Sequence, residues 1–262
     1  MLVDSHCHLD RVSLAPYANN FDLMMTKTQE AGVQHMLCPG ISLKDYTHMH
    51  ELVSDYPQVS VSVGVHPQEP ESITPVTVEQ LVKLAQDPKV VAIGEVGLDY
   101  YRAPDNIDAQ KQRFRTHIRA AHICQKPLII HTRQADTDTL HILREEQASE
   151  VGGVLHCFTG DWDMAKAALD MGFYISFSGI VTFPKAGDLR LIASKIPLEF
   201  ILIETDSPYL APVPYRGKSN EPKYVSAIAD QIAACRNISA DSLISATGTN
   251  FFRLFKPAIT LN

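Results

Sequence analysis

The sequence predicts a (β/α)8 barrel, or TIM barrel, from three observations. Eight short and continuous apolar runs recur along the 262 residues, as is typical of parallel strands that are buried on both faces. Their starts lie roughly 20 to 37 residues apart, which is comparable with the ~30 residues of a βαβ unit. Amphipathic segments with helical signals lie between the runs, and this alternation implies a mainly parallel sheet. Eight such repeats in a chain of this length favour closure into a barrel.

The predicted strands lie at residues 2–8, 33–39, 59–65, 90–97, 127–132, 153–159, 173–179 and 200–206. The clearest helical signals lie at 106–125, 136–146, 161–171 and 221–235, and residues 239–255 predict one further C-terminal helix. No linker or low-complexity tract interrupts this pattern. We therefore expect a single barrel domain over residues 1–262.

Composition and charge limit the classes of function. The five cysteines are odd in number and show no C-x-x-C spacing, which favours free thiols in a reducing compartment. The sequence shows no signal peptide, and no apolar run approaches the roughly 18 residues of a membrane span. We therefore expect a cytoplasmic protein without membrane association. The net charge of −7 argues against a surface that binds nucleic acid non-specifically, but bound metal ions can still create a local phosphate site.

Six imidazole and carboxylate side chains occur late in the predicted strands. His6 and His8 stand two residues apart in the first strand, so they project to the same side. The other four come at or near the ends of strands four, five, six and eight: Glu95, His131, His156 and Asp206. Because the C-terminal ends of barrel strands form the active-site face, we expect all six to converge there. Without a cation, burying them would leave polar groups unpaired at a cost of several kcal/mol.

The donor set predicts divalent metal ions as cofactors. Imidazole and carboxylate ligands without thiolate fit Zn²⁺, Mn²⁺, Ni²⁺ or a similar ion, whereas carboxylates alone would favour Mg²⁺. Six ligands are too many for one catalytic metal with an open position. They suit two metals about 3.5–4 Å apart that share a carboxylate and a water. We predict two such ions and leave the choice among Mg²⁺, Mn²⁺, Zn²⁺ and Ni²⁺ open.

The other histidines provide a comparison. His48 and His50 also form an H-x-H pair, but they lie on a predicted helix, where two residues correspond to about 200° of rotation. His35 lies inside strand two, and three more histidines fall on predicted helices: His117, His122 and His141. His66 ends strand three, where facing a substrate and capping the loop are both open interpretations. Asp4 shares the face of His6 and is expected to support the ligands.

Ordered motifs run through nearly the whole chain. They are VDSHCHLD at 3–10, GVHP at 64–67, GEVGLDYY at 94–101, IIHTR at 129–133, GVLHCFTG at 153–160, FYISFSGIVTF at 173–183 and ETDSPYLAPVPYRGKSNEP at 204–222. With these motifs the sequence resembles the TatD family of metal-dependent deoxyribonucleases, within the amidohydrolase-like barrels, and is most similar to the YcfH-like branch. The resemblance implies a barrel of the metallo-dependent hydrolase type.

The resemblance also implies how the ligands are divided. One metal would lie with His6, His8 and Asp206, the other with His131 and His156, and Glu95 would bridge them. Some amidohydrolase-like barrels use a carboxylated lysine as the bridge, whereas strand four here offers Glu95, as TatD proteins do. The implied activity is hydrolysis of phosphodiester bonds in nucleic acid, typically from a 3′ end. Single-stranded DNA is the expected substrate, RNA is an alternative, and no obligate protein partner is inferred.

The expected mechanism makes Asp206 and Glu95 the catalytic residues. Two cations would lower the pKa of a shared water, which Asp206 would orient or deprotonate. Glu204 is either a group that orients a ligand or a core carboxylate paired with Arg or Lys. Tyr101 and Arg133 are expected to bind substrate at the rim, since aromatic rings stack on unpaired bases and cations hold phosphates. Further rim candidates, which could equally pack the loops, are Tyr100, Arg102, Phe158, Tyr209, Arg216 and Lys218.

Two other functions are compatible with this ligand set. A small-molecule amidohydrolase, lactonase or esterase could use the same metals, and a closed apolar pocket would distinguish it from a nuclease with exposed aromatic and cationic residues. The third hypothesis is a metal-binding interaction protein without catalysis. The complete ligand set argues against that hypothesis.

Overall fold

The computed structural model describes residues 1–70 and 75–256, and within them it places eight β-strands in one sheet. The strands are β1 Leu2–Asp4, β2 Val33–Cys38, β3 Val59–Val63, β4 Val90–Asp99, β5 Leu128–Arg133, β6 Gly153–Leu155, β7 Tyr174–Phe177 and β8 Ile201–Ile203. They lie in the sheet in chain order. The pair β1–β2 and the successive pairs from β3 to β7 are parallel. This is the (β/α)8 order that the sequence predicts.

Nine α-helices lie in the described residues. They are α1 Phe21–Glu30, α2 Leu43–Val53, α3 Val78–Leu84, α4 Ile107–Cys124, α5 Asp136–Glu145, α6 Trp162–Asp170, α7 Gly187–Lys195, α8 Val225–Arg236 and α9 Ala240–Phe255. One helix follows each strand, and α9 is the additional C-terminal helix that the sequence predicts. None of the described helices combines the length and the apolar character needed to cross a membrane.

The chain divides into two compact units. The first contains residues 1–38 and 176–253, and the second contains residues 39–175 with the end of the chain from residue 254. The first unit holds β1, β2 and β8 with α1, α7 and α8, and the second holds β3 to β6 with α2 to α6. The expectation of one domain over 1–262 stays a prediction, and its residues 71–74 and 257–262 lie outside the described part of the chain.

The first strand is shorter than predicted. β1 ends at Asp4, so His6 and His8 lie in the segment that follows the strand. The backbone N–H of His8 bonds to the carbonyl of Ser207, at 2.8 Å. The local conformation is therefore set by contacts with the segment after β8, which the periodicity of residues 2–8 alone does not show.

β4 is longer than predicted because it stays paired with β5. Its register places Gly97 opposite His131 and Asp99 opposite Arg133, so Glu95 lies inside the strand and not at its end. The two strands approach closely here: a Cβ atom on Gly97 would overlap the carbonyl oxygen of His131, and the φ of +145° at this position also favours glycine. Glycine at position 97 therefore allows β4 to lie against the strand that carries His131.

Side-chain caps fix the ends of several helices. Asp161 accepts a hydrogen bond from the backbone N–H of Met164 and begins α6, as aspartate at an N-cap does. Thr77 and Gln80 form a reciprocal capping box at the start of α3. α8 ends at Asn237 in the left-handed conformation, which asparagine tolerates better than most residues. These local signals explain why the helix boundaries follow the sequence closely.

A buried histidine of α4 supports the segment that follows β3. Nε2 of His117 accepts a hydrogen bond from the backbone N–H of Val65 at 3.0 Å, and Nδ1 donates to the carbonyl of Arg113 at 2.8 Å. Both bonds require the neutral ring with its proton on Nδ1. Burial lowers the pKa of His117 from 6.5 to about 4, because the charged ring would lose its hydration.

We expect the free energy of unfolding to fall between pH 6.5 and pH 4 because of His117. The folded state favours the neutral ring, so the contribution is complete above pH 6.5 and is lost as the pH falls towards 4. A pKa shift of this size corresponds to about 3 kcal/mol. Urea unfolding of the chelator-treated protein at a series of pH values between neutral and acidic measures the loss.

His117→Gln is the matched variant for this measurement. Its amide can accept from Val65 and donate to Arg113, but it does not titrate. The variant should lose less free energy on acidification than the wild type, by about the same 3 kcal/mol. Equal pH dependence of the two proteins would show that His117 does not cause the loss.

Candidate metal centre

The first unit brings three of the predicted metal ligands together. The Nε2 atoms of His6 and His8 lie 3.8 and 3.3 Å from Oδ1 of Asp206, and the two imidazole rings meet edge to face with centroids 5.1 Å apart. Ligand atoms on one metal ion lie about 3–4 Å apart when the bonds are near 2.1 Å. The distance of each histidine from Asp206 therefore suits a shared divalent ion.

Asp4 connects the two segments that carry these ligands. Its carboxylate accepts hydrogen bonds from the backbone N–H and the hydroxyl of Thr205, at 2.9 and 2.6 Å, and from the N–H of His6, at 3.3 Å. The N–H of Asp206 in turn bonds to the carbonyl of His6. Asp4 is fully buried, and burial raises its pKa to about 8 even though these hydrogen bonds lower it. The contacts are those expected of a residue that supports the ligands.

The second unit gathers the other predicted ligands around Glu95. Oε1 of Glu95 lies 3.1 Å from Nδ1 of His131, 2.9 Å from Nε2 of His156 and 3.2 Å from Nε2 of His66. Glu95 itself is only 2% exposed. The ligand atoms of His66, Glu95 and His131 form a group compact enough to hold a metal ion. His66 also accepts a hydrogen bond at Nδ1 from the N–H of Gln68, so it both faces Glu95 and caps its loop.

The strands explain how this second group is assembled. Glu95 lies where the register between β4 and β5 shifts, and its N–H bonds to the carbonyl of Gly40 at 2.8 Å. His131 is a residue of β5. His156 follows β6 directly, and its N–H bonds to the carbonyl of Ile130 at 3.1 Å. Neighbouring strands therefore deliver the three side chains to one place.

The electrostatics of this group favour an ionised carboxylate. Burial alone would raise the pKa of Glu95, but the charges of His156 and His66 and the hydrogen bonds from the imidazoles outweigh it and hold the pKa well below its usual range. Burial lowers the pKa of His66. Burial also acts to lower the pKa of His131, but the hydrogen bonds to Asp99 and Glu95 outweigh it and raise that pKa. An ionised carboxylate is the form that binds a metal ion.

Asp99 is a buried carboxylate of this group that the sequence interpretation missed. Its Oδ2 lies 3.2 Å from Nε2 of His131, whereas Glu95 faces Nδ1 of the same ring. Asp99 comes four residues after Glu95, and an even spacing in a strand puts both side chains on one face. That spacing was the available signal, but the predicted β4 ended at Gly97 and left Asp99 outside it.

Tyr101 and Arg133 lie together beyond β4 and at the end of β5. The guanidinium carbon of Arg133 lies 4.6 Å from the centroid of the Tyr101 ring, and Tyr101 is 57% exposed. An exposed aromatic ring beside a cation suits a base and a phosphate of a single strand. Phe158, in contrast, is buried, which favours the alternative that it packs a loop over contact with a substrate.

The remaining candidates lie in varied surroundings. Glu204 is buried, and its role in orienting a ligand stays a prediction. His50 lies on α2, with Nε2 3.0 Å from a carboxylate oxygen of Asp87. His35 is buried in β2 beside the ring of Phe251. The side chains of both histidines thus make contacts away from the predicted ligands.

The donor chemistry fits divalent metal ions in both groups. Each group offers imidazole nitrogens and carboxylate oxygens, which are ligands for Zn²⁺, Mn²⁺ and Ni²⁺. Cys7, between His6 and His8, directs its sulfur to the carbonyl of Leu37 at 3.6 Å. The thiol therefore packs away from the two imidazoles, and the ligand set stays free of sulfur.

Comparison with known proteins places the chain in a family. It matches the family model of TatD related DNase over residues 3–256. It is 46% identical over 254 residues to the uncharacterized metal-dependent hydrolase YcfH of Escherichia coli (strain K12), covering 97% of this chain and 95% of that protein. It is 35% identical over 244 residues to the 3′-5′ ssDNA/RNA exonuclease TatD of Escherichia fergusonii, covering 91% of this chain and 94% of that protein.

A solved structure of a relative agrees with these matches. The crystal structure of YjjV, a TatD homologue from Escherichia coli K12, has a TM-score of 0.89 at 27% identity, covering 97% of this chain and 98% of that one. This agreement confirms the predicted (β/α)8 barrel. The range matched to the family model spans the positions of all six predicted ligands, from His6 to Asp206. The chain belongs to the TatD family of metal-dependent hydrolases, the TatD related DNases.

Proposed function

We propose that the protein is a TatD-type deoxyribonuclease, a two-metal phosphodiesterase that removes nucleotides from the 3′ end of single-stranded nucleic acid. The observation that carries the proposal is the convergence of three imidazole nitrogens on Oε1 of Glu95, all within 3.2 Å. A buried carboxylate surrounded by nitrogen donors has the surroundings that a ligand bridging two metals needs. DNA is the expected substrate, and RNA is the alternative.

The proposal joins the two groups of ligands into one centre. A (β/α)8 barrel carries its active site at the C-terminal ends of its strands, and the ligands of both groups lie in or just after such ends. One ion would be held by His6, His8 and Asp206, the other by His131 and His156, and Glu95 would bridge them. Mg²⁺, Mn²⁺, Zn²⁺ and Ni²⁺ are all compatible with these donors.

The roles of the catalytic residues follow from their surroundings. When bound, the ions would activate the attacking water and neutralise charge on the phosphoryl oxygens. Asp206 would orient that water and accept its proton, since its side chain faces two imidazoles and is still 13% exposed. Glu95 stays ionised between His131 and His156 and so fixes the positions of their rings. Asp4 and Glu204 support this arrangement from the buried side.

The substrate is assigned from the rim residues and from one relative. Tyr101 would stack on a base, Arg133 would hold a phosphate, and His66, which faces Glu95, would contact the phosphate that is cleaved. The exposure of Tyr101 favours a polymer over a small molecule enclosed in an apolar pocket. The preference for single strands and the 3′-to-5′ direction follow the name of the Escherichia fergusonii exonuclease. The proposal includes a cytoplasmic location and needs no protein partner.

Glu95→Ala and Asp206→Asn should each reduce the rate of hydrolysis by at least about 100-fold, which is the lower end of the range for the loss of an acid–base group. The first change removes the bridge, and the second removes a ligand charge and the proton acceptor. Steady-state hydrolysis of an end-labelled single-stranded oligonucleotide measures the loss, and circular dichroism checks folding. His141→Gln is the control, because this histidine lies on α5 with a side chain that is 71% exposed. Near-normal activity of the Asp206 variant at saturating metal would refute its catalytic role.

Chelation should abolish activity, and adding Mn²⁺, Mg²⁺ or another divalent ion should restore it. The chain should stay folded without metal, because the apolar core is packed independently of the ligands. Activity and far-ultraviolet circular dichroism of one chelated sample measure both outcomes. If chelation unfolds the whole chain, the ions are structural and the hydrolase proposal is weakened.

Arg133→Ala and Tyr101→Ala should selectively reduce the binding and hydrolysis of an oligonucleotide substrate. Loss of one phosphate contact should lower the salt slope of single-strand binding by about 0.7, and loss of a stacked base should cost roughly 1–3 kcal/mol. A small activated phosphodiester that reaches neither residue should be hydrolysed at nearly the wild-type rate. Paired kinetics on both substrates, at several salt concentrations, make the comparison.

Arg144→Ala is the charge-matched control for this experiment, because Arg144 is exposed near the C-terminal end of α5. It should change neither the salt slope nor the rate. Equal losses on both substrates in the Arg133 and Tyr101 variants would mean that these residues support the ligands instead. No loss on either substrate would contradict their role in binding nucleic acid.

A further inference from the structure

Asp99 lies at the C-terminal end of β4 and is fully buried. Within the described part of the chain, four nitrogen atoms face its two carboxylate oxygens. Oδ2 accepts from Nε2 of Gln68 at 2.8 Å and lies 3.2 Å from Nε2 of His131. Oδ1 accepts from the backbone N–H groups of Tyr101 and Arg102, at 3.1 and 2.8 Å. One carboxylate therefore contacts a predicted metal ligand and the loop that carries the rim residues.

The contacts of His131 determine which nitrogen is available to a metal. Nδ1 faces Oε1 of Glu95 at 3.1 Å, together with Nε2 of His156 at 3.4 Å. Nε2 points to the other side of the ring, towards Asp99. A ligating imidazole commonly donates its second N–H to a carboxylate, which fixes the tautomer and the orientation of the ring. His131 has both features: Nδ1 faces other predicted ligands, and Nε2 faces a carboxylate.

We propose that Asp99 is a positioning residue that holds His131 with Nδ1 towards the metal and links metal binding to the loop of Tyr101 and Arg102. This inference rests on the proposed function, because it takes His131 as a metal ligand. Asp99 acts through His131 and contacts neither the reacting phosphate nor, through its own oxygens, the metal. It joins the part of the centre that performs the chemistry to the part that holds the strand.

The position requires a carboxylate and not merely a polar side chain. All four groups around Asp99 are donors, and an ionised carboxylate is an acceptor at both oxygens. An asparagine would turn its NH₂ group either towards His131 and Gln68 or towards the N–H groups of Tyr101 and Arg102. In each orientation the NH₂ group of the asparagine, itself a donor, would face two other donors. Asp99→Asn therefore disturbs either the ring of His131 or the loop, with little change in size.

The first test measures metal affinity and loop protection in Asp99→Asn. Competition with a chromophoric chelator for Zn²⁺ should show affinity 10- to 100-fold lower for the variant, the usual cost of losing such a partner. Hydrogen exchange adds a readout that does not depend on activity. In the wild type, Zn²⁺ should slow exchange of the amide hydrogens of Tyr101 and Arg102, and in the variant it should not.

Gln68→Ala is the matched control. Gln68 donates to the same oxygen of Asp99, but its removal leaves the contact with His131 in place. The control should bind Zn²⁺ with nearly the wild-type affinity. An equal loss of affinity in Gln68→Ala and Asp99→Asn would mean that any change in this loop weakens Zn²⁺ binding. That result would overturn the proposal.

A measurement on the wild type covers the case in which Asp99→Asn fails to fold. Nitrogen-15 NMR of the Zn²⁺-loaded protein should show His131 bound through Nδ1, with a slowly exchanging proton on Nε2. Ligation through Nε2 would overturn the proposal. So would wild-type affinity and wild-type exchange in a folded Asp99→Asn. If the wild type bound no divalent ion, the proposed function would fail as well, whereas tight binding by both proteins would reject only the role of Asp99.

Discussion

The carboxylate of Glu95 lies within 3.2 Å of three imidazole nitrogens, while the residue is only 2% exposed. A buried charge without partners would destabilise the folded state by more than a small number of ordinary contacts stabilise it. The positions of His66, His131 and His156 are therefore constrained by the need to surround it. Each imidazole comes from or just after a different strand, so the parallel sheet must bring β3, β5 and β6 to β4 for the carboxylate to be tolerated.

Two further buried aspartates have similar contacts in the two groups of ligands. Asp4 accepts from the N–H and the hydroxyl of Thr205 and from the N–H of His6. Asp99 accepts from backbone N–H groups of the loop after β4 and faces His131. In each case a carboxylate fastens backbone that leaves a strand end, where the ladder of the sheet no longer restrains it. Rigid support of this kind would keep the predicted ligands in place before a metal binds, which would reduce the ordering that binding must impose.

The sequence predicts the order of the elements well because apolar runs and helix caps are local signals. Asp161 at the start of α6 is an example. The sequence predicts contacts between distant residues less well. Asp99 was missed because the length of β4 depends on its pairing with β5, and the sequence left open whether Phe158 lies at the rim or packs a loop, whereas it is buried. Neither pairing nor burial at a loop is encoded in the periodicity of a single segment. The predicted ligands were singled out in the sequence because their residue types are rarely buried without a function.

The segment from Glu95 to Asp99 shows how one strand can organise the chemistry around His131. Glu95 and Asp99 both face the ring of His131, and Gly97 lies between them in β4. Glu95 faces Nδ1 of the ring and Asp99 faces Nε2. Gly97, between them, has no side chain, and the backbone of His131 occupies the space that a Cβ atom would need. A larger residue at position 97 would separate β4 from β5, and both carboxylates would lose their contact with the ring at once. The glycine therefore supports the orientation of His131 through the approach of the two backbones, whereas the two acids contact its ring directly.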